Sequence, residues 1–441
     1  MNIHLIGIGG VGMAGLAVLL KARGHEVSGC DVHASPRTRW LEGQGIPVAI
    51  GHSPSHLADV DEVVITPAVR TDEPERVAAG AKGIRVRFRG EVLAELANAC
   101  ETIAVCGSHG KTTTATWIAK LLLALGEDVS WCIGGETGDF PVARPSQPSK
   151  LPKLPKPLLV VEADESDGTL ALYRAKTLVV NRCDYDHPDH FKTEADYFAC
   201  YETAKRNAAE VIESEGLGGL ESLESLGGLE GLEGLAEHNR KNARAAVEVA
   251  LRRGHSLAAI LKALPSIVSV LPDRRFQVIW PPSRLSSFLH TPPSSLLPPP
   301  SFLVITDYAH HPTEMACAVG MARERCRGRL RVLFQPHRYS RTKALLKDFP
   351  AAFAGADEVI LCPTYAAFER PVDGGDITDL HRACQEAFGG NGPALVLAES
   401  CEEAWERARD AMRDGDLTLL LGAGDIINLV PRVVSDLSAL A

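Results

Sequence analysis

Val105-Cys106-Gly107-Ser108-His109-Gly110-Lys111-Thr112-Thr113 joins an apolar run, Thr102 to Cys106, to a helix-compatible run from Thr112 through Leu125. Gly107 and Gly110 let backbone N–H groups close around phosphate oxygens, and a helix start adds positive potential there. In such a loop Lys111 reaches the β/γ-phosphates and the Thr112 hydroxyl holds Mg²⁺. Val105 stands where G-x-x-x-x-G-K-T has its first glycine, so the loop is a shorter variant. The stretch predicts a strand–loop–helix unit that takes a nucleoside triphosphate, ATP by expectation.

Working outward, apolar runs that read as strands alternate with helical stretches on both sides of this unit. Upstream they are Ile3 to Ile8, Glu26 to Gly29, Glu62 to Thr66 and Gly83 to Phe88. Downstream come Leu158 to Glu162 and Thr177 to Asn181, then a third segment that begins near Ile267. That segment holds Phe302 to Thr306, Leu330 to Gln335, Glu358 to Pro363 and Leu417 to Leu421. Strands alternating with helices predict an α/β chain of parallel, doubly wound sheets, with ligand sites beyond the carboxyl ends of the strands. Three domains are expected, at 1–99, 100–265 and 266–441. Pro141 to Pro157, with six prolines, reads as an exposed loop, and Ile279 to Pro300, with seven, as a poorly ordered excursion. Ser214 to Ala236 runs as near-repeats of Gly-Leu-Glu and reads as a flexible linker or weak helix.

A second glycine turn, Gly7-Ile8-Gly9-Gly10-Val11-Gly12, follows the first strand, and Asp31 closes the second strand. That pattern suits a dinucleotide-type diphosphate site, with the acid on a ribose or base. Alone it would suggest NAD; beside the Lys111 loop it equally suits a nucleotide-linked substrate. Glu162-Ala163-Asp164-Glu165-Ser166-Asp167 ends a strand near the phosphate loop, and hard carboxylate oxygens there suit Mg²⁺. Asp184, Asp186, His187, Asp189 and His190 crowd another strand end and fit a mixed Mg²⁺ site better than zinc. In the third segment Asp307-Tyr308-Ala309-His310-His311-Pro312 and Gln335-Pro336-His337-Arg338-Tyr339-Ser340-Arg341-Thr342 each follow a strand. Arginine forks match carboxylate or phosphate, which makes Arg338 and Arg341 candidates to grip an amino-acid carboxylate or stabilise phosphoryl charge.

Composition limits the alternatives. A formal net charge of -10 argues against a nucleic-acid partner, whose phosphates need a basic face. The N-terminus lacks a basic n-region, and no apolar run approaches about 18 residues, so neither a signal peptide nor a membrane span is expected. Eleven scattered cysteines without a C-x-x-C pair suit reduced thiols and a cytoplasmic location. Cys106 reads as a small buried hydrophobe.

IGIGGVGMAGLA, GSHGKTTT, EADESDGT, DYAHHPTE, QPHRYSRT and GAGDIINL stand in one order along nearly the whole chain, and together they resemble the Mur ligases of peptidoglycan synthesis. The resemblance implies a Rossmann-like N-terminal domain for a UDP-sugar, a central P-loop ATPase domain and a Rossmann-like C-terminal domain for the amino acid. Family members carry further strands of the central sheet where the Gly-Leu-Glu repeat stands, so a shortened central sheet is expected. QPHRYSRT is the discriminating piece, and implies L-alanine as the amino acid joined to UDP-N-acetylmuramate through an acyl phosphate. By the same resemblance Gly7, Gly9, Gly10, Gly12 and Asp31 hold the UDP-sugar, and Gly107, Ser108, His109, Gly110, Lys111, Thr112 and Thr113 hold ATP phosphates. Thr112, Glu162 and His187 surround Mg²⁺. His238, Asn239 and Asn242 lie near adenine, and Arg275 and Asp307 make further nucleotide contacts. Tyr308, His337, Arg338 and Arg341 form the amino-acid site. Lys111, Thr112, Glu162, His187, His337, Arg338 and Arg341 are the expected catalytic set, in a monomer or homodimer. A family ligase with another amino acid or peptide, or a degenerate nucleotide-binding member without turnover, is the alternative.

Overall fold

The computed structural model describes residues 1–135, 141–145, 156–188, 190–217, 235–269, 271–272, 274–281, 302–367 and 369–439. β1 (Asn2–Ile6), β2 (Glu26–Asp31), β3 (Val48–Ile50), β4 (Glu62–Ile65) and β5 (Arg85–Phe88) form a parallel sheet ordered β3-β2-β1-β4-β5. The order reverses between β1 and β4, which puts a crevice at the carboxyl end of β1, where the first glycine turn lies. Helices α1 (Val11–Ala22), α2 (Pro36–Gly43), α3 (Pro74–Ala81) and α4 (Arg89–Asn98) flank it. Ser35 starts α2 with a capping box shared with Thr38.

The second sheet is β6 (Glu101–Cys106), β7 (Val129–Cys132), β8 (Ala143–Arg144), β9 (Leu158–Glu162), β10 (Thr177–Val180) and β11 (Glu210–Glu213), ordered β11-β10-β6-β9-β7-β8. All its pairings are parallel except β8 with β7. The central strands are apolar on both faces because helices cover both. One of those helices, α5 (Lys111–Ala124), is buried from Thr112 to Ala119 and packs against helices Glu237–Arg252 and Leu257–Val268. The third sheet is β12 (Gln277–Trp280), β13 (Leu303–Asp307), β14 (Leu330–Phe334), β15 (Glu358–Leu361), β16 (Ala394–Leu397) and β17 (Leu417–Leu421), ordered β12-β13-β17-β14-β15-β16. Here β12 is the antiparallel edge.

The chain divides into two compact bodies, one of 1–186, 190–230 and 237–268, the other of 187–189, 231–236 and 269–441. Within the first body the first two sheets share one hydrophobic core, which runs from Leu5 and Leu16 through Leu93 and Ala97 to Val161 and Leu178. The joint is tight: a Cβ on Gly15 of α1 would lie 2.8 Å from the Cys132 sulfur of β7.

Two loop expectations need correcting. The proline-rich stretch is not wholly exposed: Val142 and Ala143 are buried, and Ala143–Arg144 is an edge strand. Pro141 makes this possible because an edge strand leaves backbone donors unpaired, and its carbonyl accepts the Trp131 indole N–H at 2.8 Å. Likewise Ile279 and Trp280 lie within β12, not in an excursion. The rest of that excursion, at 282–301, and the bulk of the Gly-Leu-Glu repeat, at 218–234, lie outside the described residues, as does Asp189. Helix Leu257–Val268 continues through Ile267, so the third sheet begins only at Gln277.

Candidate active site

The phosphate loop follows β6 directly. Gly107 (φ 123) and Gly110 (φ 78) take left-handed backbone, and both are hemmed in by asparagines. A Cβ at 107 would lie 2.8 Å from the Asn181 Cβ, and one at 110 would lie 2.6 Å from Asn242 Oδ1. Glycine is therefore required twice, by conformation and by space. Asn242, which borders this loop, donates to Asn239 Oδ1 at 3.2 Å, and both are buried while His238 is exposed. Ser108 Oγ donates to the Asp184 carbonyl at 2.6 Å, and His109 Nε2 meets Asp184 Oδ2 at 2.9 Å. His109 foremost, with Arg182 adding and burial opposing, holds the Asp184 carboxyl well below its usual range. Asp184 thus braces the loop. Cys106 is fully buried, and burial pushes its thiol well up, as a small hydrophobe in this position should behave.

Lys111 Nζ donates to both Glu165 oxygens, at 2.9 and 3.0 Å, and to the Gly107 carbonyl at 2.8 Å. Glu165 is wholly buried, and burial pushes its carboxyl up to about 7 against the pull of Lys111. Burial also disfavours the Lys111 charge, but Glu165, Asp164 and Glu162 outweigh it and keep the ammonium charged. The sequence did not single out Glu165 from its acidic neighbours. Thr112 Oγ1 lies 3.1 and 3.0 Å from the Glu162 oxygens, and Glu162 Oε2 also accepts the Gly134 N–H at 2.8 Å. A hydroxyl and a carboxylate at one point are hard oxygen donors, which fit Mg²⁺. His187 takes left-handed backbone (φ 58) and groups with the second body, whereas Thr112 and Glu162 lie in the first.

The first glycine turn is built as β1 ends. Gly7 (φ 76) and Ile8 both donate to the Cys30 carbonyl, at 2.8 and 2.9 Å, and Gly10 N–H returns to the Gly7 carbonyl at 3.1 Å. Asp31 Oδ2 accepts the Gly9 N–H at 2.9 Å, and a Cβ on Gly9 would lie 2.7 Å from that same oxygen. Between this turn and the carboxyl ends of β7 and β9 lies a cavity of about 220 Å³ lined by Gly12, Thr66, Arg89, Gly134, Glu162 and Asp164. Arg89 escaped sequence reading. Its guanidinium lies 3.5 Å from Asp164, and although burial opposes the charge, Asp164 keeps it firmly cationic. Arg89 opens α4, 75 positions from its partner, so no local pattern pointed to it.

In the second body, Tyr308 carries Arg274 at 4.6 Å and Arg275 at 5.1 Å over its ring. His337 Nδ1 lies 3.2 Å from Arg341 Nη1, and its ring stacks on Tyr365 at 5.5 Å. His310 lies between the Tyr308 and His337 rings, at 5.4 and 5.5 Å. Arg338 takes left-handed backbone (φ 72), its N–H donates to the Tyr365 carbonyl at 2.8 Å, and its guanidinium lies 4.0 Å from Glu369. Asp307 accepts the Phe276 and Ala309 N–H groups, each at 2.7 Å. Burial lifts its carboxyl to about 6, with Arg275 opposing. The structure therefore gathers Arg275, Asp307, Tyr308, His337, Arg338 and Arg341 at the ends of β13 and β14, and adds Arg274, His310 and Tyr365.

Residues 2–100 match the model described as Mur ligase family, catalytic domain, and residues 298–424 match Mur ligase, glutamate ligase domain. A UDP-N-acetylmuramate–L-alanine ligase of Agrobacterium fabrum is 31% identical, over 100% of this chain and 97% of its own. The chain belongs to the Mur ligase family. A ligase of the same description from Nitrosospira multiformis is 33% identical, over 99% of this chain and 94% of its own. Among solved structures, the UDP-N-acetylmuramate-alanine ligase of Thermotoga maritima superposes over 100% of both chains with a TM-score of 0.75 and 25% identity. A murein peptide ligase of Psychrobacter arcticus gives a TM-score of 0.68 at 20% identity, a likeness of fold. The three-domain α/β Mur ligase architecture expected from the sequence is the one found. No helix among the described residues is long and apolar enough to cross a membrane.

Proposed function

We propose that this Mur ligase joins L-alanine to the lactyl carboxylate of UDP-N-acetylmuramate, consuming ATP and releasing ADP and phosphate in peptidoglycan precursor synthesis. The observation that carries the reading is full-length likeness to relatives of that description, on a chain whose phosphate loop keeps Lys111 and Thr112 paired with buried or half-buried acids. Those intact pairs weigh against a member without turnover.

The first step forms a bond between a carboxylate oxygen and the γ-phosphorus and breaks the bond to ADP. In the second, the alanine nitrogen attacks the acyl carbon, phosphate leaves, and the amine loses a proton. Lys111, presented by α5 with the backbone N–H groups of Gly107 to Thr113, would neutralise the transferring phosphoryl group. Thr112 and Glu162, with His187 as third partner, would hold Mg²⁺, which would supply positive charge to offset that of the phosphate oxygens. Arg89 and Thr66 face the cavity beside the glycine turn, and Arg89 would grip the lactyl carboxylate or the diphosphate of a UDP-sugar seated on Gly7, Gly9, Gly10 and Gly12. Asn239 and Asn242 would border adenine, with Arg275 and Asp307 on the nucleotide. Tyr308, His337, Arg338 and Arg341 would take the amino-acid carboxylate.

Phosphate release is the test. It is expected only when UDP-N-acetylmuramate, ATP, Mg²⁺ and L-alanine are all present, with glycine, L-serine and murein tripeptide giving much less. Release driven as well by tripeptide as by L-alanine would assign another acceptor chemistry, and no release with any amine would overturn the enzyme reading.

A further inference from the structure

The face of the first sheet opposite the shared core carries a second cluster of reactive side chains. β1 and β2 run in register His4 with Ser28 and Ile6 with Cys30, so His4 and Cys30 project to the same face. α3 covers that face and brings Glu75 down in its first turn, while the connection between β3 and β4 supplies His52, Ser53 and His56. His4, Cys30 and Glu75 are almost or wholly inaccessible, at 2%, 0% and 0%.

Glu75 is the hub. Its Oε2 lies 3.0 Å from His4 Nε2 and 3.2 Å from the Cys30 sulfur. Its Oε1 accepts the Ser53 N–H at 2.8 Å and lies 2.8 Å from His56 Nδ1. His52 Nδ1 lies 3.1 Å from the Cys30 sulfur and 3.7 Å from Glu75 Oε1. One donor atom from each of His4, Cys30, His56 and Glu75 falls within 4.8 Å of all the others. A tetrahedral zinc ion with bonds of about 2.0–2.3 Å needs its ligand atoms about 3.3–3.7 Å apart. The three contacts to Glu75 are slightly shorter than that and the other pairs lie within 4.8 Å, so shifts of about an ångström would bring the four to those spacings.

We infer that His4 Nε2, Cys30 Sγ, His56 Nδ1 and a Glu75 oxygen form a binding site for one borderline-soft divalent cation of the zinc class, distinct from the ATP–magnesium centre. Three features besides proximity support it. The donor set mixes a thiol with two imidazoles, which favours Zn²⁺ and disfavours Mg²⁺ and Ca²⁺. The Cys30 sulfur, beside the apolar Ile6 and Val63, also faces Glu75 and His52, so a soft donor is turned into the cluster. His4 also has the outer partner that zinc-binding imidazoles need: Ser28 Oγ lies 2.9 Å from Nδ1, which leaves Nε2 to face the cluster. The side chains of His52 and His56 are 22% and 23% exposed, so the site opens to solvent along the imidazole edge. On binding, the Cys30 thiol and the imidazole nitrogens give up their protons to solvent, with no change of oxidation state. The Cys30 carbonyl receives both Gly7 and Ile8 N–H groups, so an occupied site would also stiffen the first glycine turn.

The full-length protein, reduced and stripped with a chelator, is titrated with Zn²⁺ against a chromophoric competitor in excess Mg²⁺, and with Co²⁺ as a spectroscopic probe. One equivalent is expected to bind, with tetrahedral Co²⁺ bands, a thiolate-to-cobalt transition and a raised Tm. Cys30→Ser should abolish the thiolate transition. His56→Ala, at a partly exposed position that should leave folding intact by circular dichroism, should weaken binding at least tenfold. Failure of the folded wild type to compete for Zn²⁺ would overturn the site. So would an unchanged stoichiometry and thiolate band in both variants, which would place the ion on other cysteines. Neither result bears on phosphate release, so the ligase reading stands or falls separately.

Discussion

Replacing Lys111 by Met should cost both turnover and stability, and the two losses should separate when Glu165 is also changed. Lys111 Nζ sits 2.9 and 3.0 Å from the Glu165 oxygens, with Glu165 wholly buried and the Lys111 side chain 14% exposed. At an effective dielectric of about 20, charges about 4 Å apart attract by about 4 kcal/mol. Removing one partner of a buried pair commonly costs about 3–5 kcal/mol, because the other is left buried and charged. Here the loss should fall short of that range, at about 2–3 kcal/mol near neutral pH, because the stranded acid can protonate. Glu165 already stands at about 7 with Lys111 present, and without that cation it rises further. A carboxyl raised in the folded state contributes most below its unfolded value and loses that contribution as pH rises through the folded value. The Lys111→Met deficit should therefore shrink on acidification. Adding Glu165→Gln should recover most of the stability, since it removes the charge, while turnover stays down by at least about 10²–10³. Urea midpoints at several pH values, alongside phosphate release for the four proteins of the cycle, read both quantities. A Lys111→Met midpoint equal to wild type, or turnover restored in the double variant, would refute the reasoning.

Other expectations follow from single contacts. Glu162→Gln should raise the Mg²⁺ concentration needed for half-maximal phosphate release by at least about tenfold, because a neutral amide is a far poorer hard-oxygen ligand beside Thr112; an unchanged Mg²⁺ dependence would place the metal elsewhere. Gly9→Ala puts a Cβ 2.7 Å from Asp31 Oδ2 and should raise the KM for UDP-N-acetylmuramate about tenfold with little change for ATP, as initial rates would record. Glu127 is held below its unfolded value of 4.5: burial pushes up, but Arg253 and His255 pull it down more. A lowered carboxyl contributes stability above its unfolded value and loses it as pH falls through the folded one. Glu127→Gln should thus cost about 1–2 kcal/mol at pH 7, with the two urea curves converging below pH 4.5. A gap that persists in acid would exclude the carboxylate as the cause.

How much of this was legible in the chain depended on whether a local pattern carried the constraint. The two glycine turns were readable because their backbone demands are local: Gly7, Gly107 and Gly110 take left-handed φ within a few residues of a strand end. The long apolar strands β6, β9, β14 and β17 were equally plain, since buried parallel strands are apolar on both faces. β3, with three residues, and β16, at a sheet edge with no buried residue, offered too little pattern to separate from loop. β11 and β12 were missed for a related reason: EVIE and QVIW are four-residue edge strands, half polar or broken by a bulge. Proline density suggested exposure at 141–157, but an edge strand tolerates proline, and Val142 and Ala143 are buried. In the site, the residues that escaped notice were those defined by distant partners. Arg89 meets Asp164, Asn181 presses on Gly107, and Arg274 lies over Tyr308.

The acidic run after β9 shows what the fold adds to such a motif. Read as letters, Glu162, Asp164, Glu165 and Asp167 are four interchangeable carboxylates beside a phosphate loop. In place, Glu162 receives the Thr112 hydroxyl and the Gly134 N–H, Asp164 faces Arg89, Glu165 takes Lys111, and Asp167 turns back to Thr169. The division arises because β9 ends at Glu162 and the chain then turns, Gly168 N–H closing on the Glu165 carbonyl, so neighbours in sequence meet different elements. Depth then separates their chemistry. Glu165, with no solvent contact, is the one whose carboxyl is lifted toward neutrality, which suits it to hold an ammonium and release it when phosphate oxygens compete for the same donor. Glu162 keeps partial contact with solvent and shares the cavity with Arg89. One short stretch thereby links the α5 phosphate loop to α4 of the N-terminal sheet through its carboxylates. A substitution among these four should change ATP handling or sugar-nucleotide handling according to which element its side chain meets.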